Sequence, residues 1–223
     1  MKIVEINRLF DSTLLKPDAT ESEITLVCVD ARNHGFAAVC VNSFYTELVS
    51  RLLAGSEVRT CVVIGFPLGA TASAAKVCES KFALEKGAEE LDMVMNIGAL
   101  RSGEPDTVRE DIRAVVEASH GKALVKVILE CCLLRDAEKT EACGIAVDAG
   151  ADFVKTSTGF SSGGATVKDV RILKESVGDS ARVKASGGIR DLRTALAMID
   201  AGADRIGTSS GVAIAEEARR ERC

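Results

Sequence analysis

The stretch Ala149-Gly150-Ala151-Asp152-Phe153-Val154-Lys155-Thr156-Ser157-Thr158-Gly159-Phe160 joins a helix end, a strand and a polar turn. Gly150 follows a helical pattern, at the place where a left-handed residue closes a helix. Phe153 to Ser157 reads as a short apolar strand that carries one lysine and breaks into a turn with glycine. The same seam recurs as His34-Gly35-Phe36-Ala37, Lys86-Gly87-Ala88-Glu89 and Ala201-Gly202-Ala203-Asp204. Each time a glycine ends a helical pattern and an apolar strand follows at once, which is the mark of a repeated strand–helix unit.

Outward from these seams, apolar runs alternate with helical spacing along the whole chain. Strands are predicted at 9–14, 37–41, 58–64, 90–97, 124–130, 153–157, 182–185 and 205–207. Helices are predicted at 21–34, 44–54, 71–86, 105–119, 136–149, 166–177, 191–201 and 210–222. Eight units over 223 residues, about 28 each, predict an α/β fold: a (β/α)8 TIM barrel forming one domain over residues 1–223. The rival, an open doubly wound sheet, calls for five to seven strands and a Gly-x-Gly-x-x-Gly turn near the N-terminus, and that motif is absent there.

Side chains in a strand alternate faces. Asp92, Val94 and Asn96 share one face, opposite Leu91, Met93 and Met95. Lys126, Ile128 and Glu130 oppose Val125, Val127 and Leu129. Lys155 and Ser157 oppose Val154, and Lys184 and Ser186 oppose Val183 and Ala185. The wholly apolar face must meet the helices, so the charged face points into the barrel. Asp92, Lys126, Lys155 and Lys184 are therefore expected to converge, with Asp92 and Glu130 partly neutralising the three lysines.

Val183-Lys184-Ala185-Ser186-Gly187-Gly188 repeats the form of Val154-Lys155-Thr156-Ser157-Thr158-Gly159, 29 residues downstream. Two lysines at matching places on two similar strands predict two amines side by side. One ammonium disfavours protonation of the next, a route to a nucleophilic lysine. Taken alone, two lysines near strand ends are ordinary surface residues, and a structural ion cluster also fits them. Ser186-Gly187-Gly188 and Gly207-Thr208-Ser209-Ser210-Gly211 follow the seventh and eighth strands, where barrels often bind phosphate. An amine beside a phosphate site predicts a phosphorylated carbonyl substrate and a Schiff base, with Asp92 moving protons.

Composition narrows the classes further. The chain is 47% hydrophobic and 27% charged, with net charge −5 and no basic stripe, so nucleic acid is not an expected partner. No apolar run approaches ~18 residues and the first residues lack one, so neither a membrane span nor a signal peptide is expected. Of the 8 cysteines, Cys28, Cys40, Cys61, Cys78 and Cys143 sit inside apolar patterns, Cys131 and Cys132 are adjacent, and Cys223 is terminal. No Cys-x-x-Cys occurs, and only His34 and His120 add imidazole. Free thiols in a reducing cytoplasm, with no metal, are the expectation.

Six stretches together resemble the deoxyribose-phosphate aldolases over nearly the whole chain. They are Asp11-Ser12-Thr13-Leu14-Leu15-Lys16-Pro17, Val63-Ile64-Gly65-Phe66-Pro67-Leu68-Gly69, Leu91-Asp92-Met93-Val94-Met95-Asn96-Ile97-Gly98, Val154 to Phe160, Val183 to Arg190, and Gly207 to Gly211. The resemblance implies a metal-free, cofactor-free class I aldolase, a lyase that cleaves 2-deoxy-D-ribose 5-phosphate to acetaldehyde and D-glyceraldehyde 3-phosphate. It implies Lys155 as the Schiff-base nucleophile, Lys184 as its neighbouring cation, Asp92 as the proton carrier working through a water, and Lys126 as electrostatic support. It further implies Gly159, Gly187, Gly188, Ser209 and Ser210 around the phosphate, and Asp11, Thr13, Cys40 and Thr158 along the cleft. A cytoplasmic homodimer is the implied assembly.

The chain also departs from the family. Ser12 stands where its short bacterial forms usually carry histidine, and Cys131 where they carry threonine. A tyrosine tail known in the family has no counterpart in Arg219-Arg220-Glu221-Arg222-Cys223, and Tyr45 is the one tyrosine. A barrel isomerase or synthase acting on another sugar phosphate, and a binding or regulatory protein that keeps the phosphate site but lacks chemistry, are the other classes.

Overall fold

Gly35, Gly87, Gly150 and Gly202 all adopt positive φ, between 65° and 109°, as the repeated seam requires. Three of these seams also end in an acid, and each acid has a structural task. Glu89, Asp152 and Asp204 accept the backbone N–H of Thr60, Val125 and Val183 at 3.1, 2.8 and 2.8 Å. Each acid thus latches the start of its own strand to the start of the preceding strand in the sheet.

The computed structural model describes residues 6–119 and 121–221. The expectations for Met1 to Glu5, His120, Arg222 and Cys223 lie outside the described residues. The strands are β1 (Phe10–Leu14), β2 (Ala38–Val41), β3 (Arg59–Ile64), β4 (Glu90–Val94), β5 (Leu124–Ile128), β6 (Phe153–Lys155), β7 (Arg182–Ser186) and β8 (Arg205–Thr208). They form one closed parallel barrel in sequence order, β8 returning to β1. The helices are α1 (Glu21–His34), α2 (Thr46–Leu53), α3 (Ser73–Glu85), α4 (Ile97–Arg101), α5 (Pro105–Ser119), α6 (Asp136–Asp148), α7 (Val167–Val177), α8 (Leu192–Asp200) and α9 (Gly211–Arg220). The TIM barrel expected from the repeats is the fold observed.

Element ends follow local chemistry. Thr20 and Glu23 form a capping box before α1, and Thr166 and Asp191 cap α7 and α8 with their side chains. The largest difference from expectation lies at β4, which stops at Val94. Asn96 caps the short α4 through the Ala99 N–H at 3.1 Å, so that polar side chain serves a helix rather than the barrel lining.

The two strand faces divide as the alternation requires. Leu91, Met93, Met95, Val125, Val127, Val154, Val183 and Ala185 belong to the large apolar cluster shared with the helices. Inside the barrel, β2 and β3 contribute a small apolar group of Ala38, Cys40, Cys61 and Val63, with Leu15 above it. The remaining strands fill the interior with charge.

One buried ion pair ties the helical shell to β4. Lys76 Nζ donates to Asp111 Oδ2 at 2.5 Å and to the Val94 carbonyl at 2.9 Å, and Ser73 Oγ donates to the other Asp111 oxygen at 2.7 Å. Lys76→Ala strands a buried carboxylate and a buried carbonyl. It is expected to destabilise the fold by about 3–5 kcal/mol, read from urea unfolding. A loss below about 1 kcal/mol would show that solvent reaches Asp111 once the lysine is gone.

Candidate active site

Asp92 is the centre of the barrel. Its Oδ2 accepts from Lys155 Nζ at 2.6 Å and Lys184 Nζ at 2.7 Å, and its Oδ1 accepts from Lys126 Nζ at 2.7 Å. Lys155 and Lys184 are register partners on β6 and β7, and Asp92 and Lys126 are partners on β4 and β5. All four side chains are buried. The predicted convergence is therefore present, with one addition: the carboxylate lies between the two amines and bonds both.

Electrostatics explains how such a cluster survives away from water. Burial by itself would raise the Asp92 carboxyl, but Lys126, Lys155 and Lys184 overcome it and hold the group well below the usual carboxylate range. Burial would lower Lys184 and Lys126, but their carboxylate neighbours win and hold both well above the ordinary lysine value. Burial and the Asp92 anion push the Cys61 thiol well above its usual range; its Sγ lies 3.2 Å from Asp92 Oδ1.

The acids that balance the lysines differ from expectation. Glu130 does not join the cluster. β5 ends at Ile128, so alternation stops before Glu130, whose φ of 56° is left-handed. Its carboxylate accepts the Thr158 N–H at 3.3 Å and the Thr158 hydroxyl. Asp11 and Glu90 take its place: Asp11 accepts from Lys184, and Glu90 lies 2.6 Å from Lys126 Nζ. Glu90 was legible as the residue two before Asp92 on one strand face. Arg205, which bonds both acids, was legible only as the first residue of a strand.

Above the cluster, at the C-terminal ends of the strands, a cavity of about 240 Å³ has Lys155 on its floor. Thr13, Thr158, Gly159, Gly187, Gly188 and Ser209 line it, as expected. Lys16, Ser186, Arg190, Gly207 and Thr208 line it as well; Lys16 and Arg190 stand within the stretches that carried the resemblance, but their type and spacing alone gave no sign of a role. Ser210 is not among the lining residues, because its N–H turns back to the Thr208 hydroxyl at 2.9 Å. Asp11 and Cys40 lie deeper: Asp11 under Lys184, and Cys40 with its Sγ 4.0 Å from Asp92 Oδ2. Gly207 has a packing reason: a Cβ there would stand 3.1 Å from Lys184 Cε. Thr156 is buried away from the cavity; its hydroxyl donates to the Ser186 carbonyl at 3.2 Å and accepts the Ser186 N–H at 3.1 Å, so it aligns the turns after β6 and β7.

A second cavity, about 450 Å³, opens at the opposite end of the barrel among Arg8, Arg32, Arg59, Arg182 and Arg205. Among the described residues it is lined by no lysine and by the single carboxylate Glu57, so size does not identify the site here. Among the described residues, two buried groups bring metal-type ligand atoms within 4.8 Å: Cys40, Cys61 and Asp92, and Asp11, Cys61 and Glu90. In both, the carboxylate oxygens already accept from ammonium or guanidinium groups, and a cation would have to displace those donors.

Residues 8–217 match the model of the DeoC/LacD family aldolases. A deoxyribose-phosphate aldolase of Clostridium tetani is 57% identical over 97% of the chain and 100% of its own length. Deoxyribose-phosphate aldolase 1 of Bacillus licheniformis is 58% identical over 94% of both. Among solved structures, the aldolase QR15 superposes with a TM-score of 0.93 at 44% identity, covering 98% of this chain and 97% of that one. A deoxyribose phosphate aldolase of Aeropyrum pernix, described as a tetramer, gives 0.91 at 37% identity, covering 98% and 92%.

Proposed function

We infer the function from one premise: the chain belongs to the DeoC/LacD family of aldolases. It is a deoxyribose-phosphate aldolase, cleaving 2-deoxy-D-ribose 5-phosphate reversibly to D-glyceraldehyde 3-phosphate and acetaldehyde through a Schiff base. The observation that carries the site reading is the position of Lys155. Its amine is the one amine of the Asp92 cluster that reaches the cavity, and its carboxylate partner is 2.6 Å away.

Charge supports the same choice. Asp11, Glu90 and Asp92 supply three negative charges, and Lys126, Lys184 and Arg205 supply three positive ones. Lys155 is a fourth basic group beyond these three pairs, and the one that the cavity reaches. Lys155 Nζ adds to the C1 aldehyde, and loss of water gives an iminium. The C2–C3 bond breaks, its electrons pass into the iminium to give an enamine, and the C3 hydroxyl loses its proton to become the aldehyde of the departing glyceraldehyde 3-phosphate. Asp92 moves that proton through a water, and the enamine then takes a proton on C2. Hydrolysis returns Lys155 and releases acetaldehyde. Lys184 and Lys126 hold Asp92 in place and favour its anionic form between proton transfers.

The phosphate is held by the turns after β6, β7 and β8. Gly159, Gly187 and Gly188 have φ of 85°, 88° and 79°, which leaves these turns free of side chains and lets an anion approach the backbone. Ser209 adds a hydroxyl, and Lys16 and Arg190 supply positive charge at the same cavity. The assembly we propose is a homodimer in the cytoplasm; among the described residues no helix is long and apolar enough to cross a membrane.

Treatment with acetaldehyde and sodium borohydride, followed by peptide mass mapping, tests the assignment. An ethyl group on Lys155 is the expected product. A label on Lys184, or none at all, rules the assignment out.

A further inference from the structure

We propose that Glu90 and Arg205, at the foot of the barrel, are positioning residues that close a ring of alternating charge and thereby set the charge around Asp92 and Lys155. This inference rests on the aldolase reading above. The ring can be followed bond by bond. Asp92 is 2.7 Å from Lys126, and Lys126 is 2.6 Å from Glu90. Glu90 is 3.1 Å from Arg205, and Arg205 is 2.6 Å from Asp11. Asp11 pairs with Lys184, which is 2.7 Å from Asp92.

Among the described residues, the charged or titratable groups that the strands bring to this interior can be named in order, and Arg8, Arg32 and Glu57 share the cavity at its foot with Arg205. β1 supplies Asp11, β2 Cys40, β3 Cys61 with Arg59 at its foot, and β4 Glu90 and Asp92. β5 supplies Lys126, β6 Lys155, β7 Lys184 with Arg182 at its foot, and β8 Arg205. Arg59 is half exposed and 3.5 Å from Glu90; Arg182 stacks its guanidinium on the Phe153 ring, 4.0 Å from the centroid. The six ring members are held on each side by an opposite charge, and the side chains of five of them are fully buried. Neither Glu90 nor Arg205 lines the cavity around Lys155, so neither touches substrate.

The geometry has a consequence that a passive structural plug does not share. Removing Glu90 leaves one surplus positive charge at Lys126, two ion pairs from Lys155 through Asp92. The Lys155 ammonium becomes harder to keep protonated. Removing Arg205 leaves one surplus negative charge and acts in the opposite sense. Removing both restores the balance.

The test is the pH profile of kcat for deoxyribose 5-phosphate cleavage in E90Q, R205Q, the double variant E90Q/R205Q and R205K. The acid limb, below which the amine is protonated and the rate falls, is expected to move down by roughly one pH unit in E90Q and up by roughly one unit in R205Q. It returns to the wild-type position in the double variant and stays there in R205K, which keeps the charge. KM changes less than about threefold throughout, because the cavity is untouched. Should a buried variant fail to fold, R59Q removes a half-exposed positive charge beside Glu90 and moves the limb up by a few tenths of a unit, less at high salt.

Limbs that coincide in the two single variants, that move in the same direction, or that stay put in R59Q overturn the proposal. So does a pure KM effect. Borohydride trapping on the wild-type enzyme separates the two readings. If Lys155 is not labelled, the aldolase site itself is misassigned. If Lys155 is labelled and the limbs do not move, only the ring proposal fails.

Discussion

Lys155→Met is expected to lower kcat/KM for deoxyribose 5-phosphate cleavage by at least about 10⁴-fold while the protein stays folded. Methionine has nearly the length of lysine and suits a buried position, but it cannot form an iminium. The electron sink for C2–C3 cleavage is lost, and no other amine of the cluster reaches the cavity. Stability should move the other way or not at all. Lys155 is the one cation not needed to balance Asp11, Glu90 and Asp92, so its removal leaves three charges of each sign in the interior. Steady-state kinetics together with thermal unfolding checks both halves. Activity within tenfold of wild type would remove Lys155 from the mechanism. A large drop in Tm would contradict the charge count.

Asp92→Asn is the second large effect. It deletes the anion that three ammonium groups share, each within 2.7 Å. Asparagine keeps the shape but carries no charge and cannot take a proton. A fall in kcat of about 10²–10⁴ is expected from the proton steps. Stability should fall by about 3–5 kcal/mol, because buried ammoniums lose their partner.

The pH dependence of that stability follows from the direction of each shift. Asp92 and Asp11 are held below the ordinary carboxylate value, so their contribution is full above about pH 4 and is lost as pH falls through their folded values. Lys126 and Lys184 are held above the ordinary lysine value, so theirs is full below about pH 10 and is lost only as pH rises through the folded values. Wild-type unfolding free energy should therefore have an acid limb, and Asp92→Asn should flatten it. Denaturant titrations between pH 2 and 7 measure this. An acid limb unchanged in Asp92→Asn would place the acid sensitivity elsewhere in the fold.

Much of the fold is local. The seam glycines need positive φ, the helix caps sit within four residues of their donors, and period-two alternation assigns a strand's faces without reference to any other strand. These are short-range constraints, so residue order alone carries them, and the eight-unit count with its closed barrel follows. The inward placement of Asp92, Lys126, Lys155 and Lys184 belongs with them, since an apolar opposite face leaves no other choice. The places where this reasoning fails are also physical. Asn96 and Glu130 were assigned by carrying alternation past the points where β4 and β5 stop, at Val94 and Ile128. Once a strand ends, the next residue's direction is set by a cap or a turn.

The sequence by itself determined the barrel, the strand that carries the amine, and the family. Only the tertiary structure decided which groups share a bond: that Asp92 lies between Lys155 and Lys184, that Asp11 and Glu90 rather than Glu130 supply the opposing charge, and that Arg205 joins them. The reason is distance along the chain. Lys184 and Asp11 are 173 positions apart and Arg205 and Asp11 are 194 apart, and they meet because β8 closes on β1. Local pattern fixes the face on which a charge stands. Which opposite charge it meets depends on where the barrel closes and how each strand end turns, and those are properties of the closed sheet.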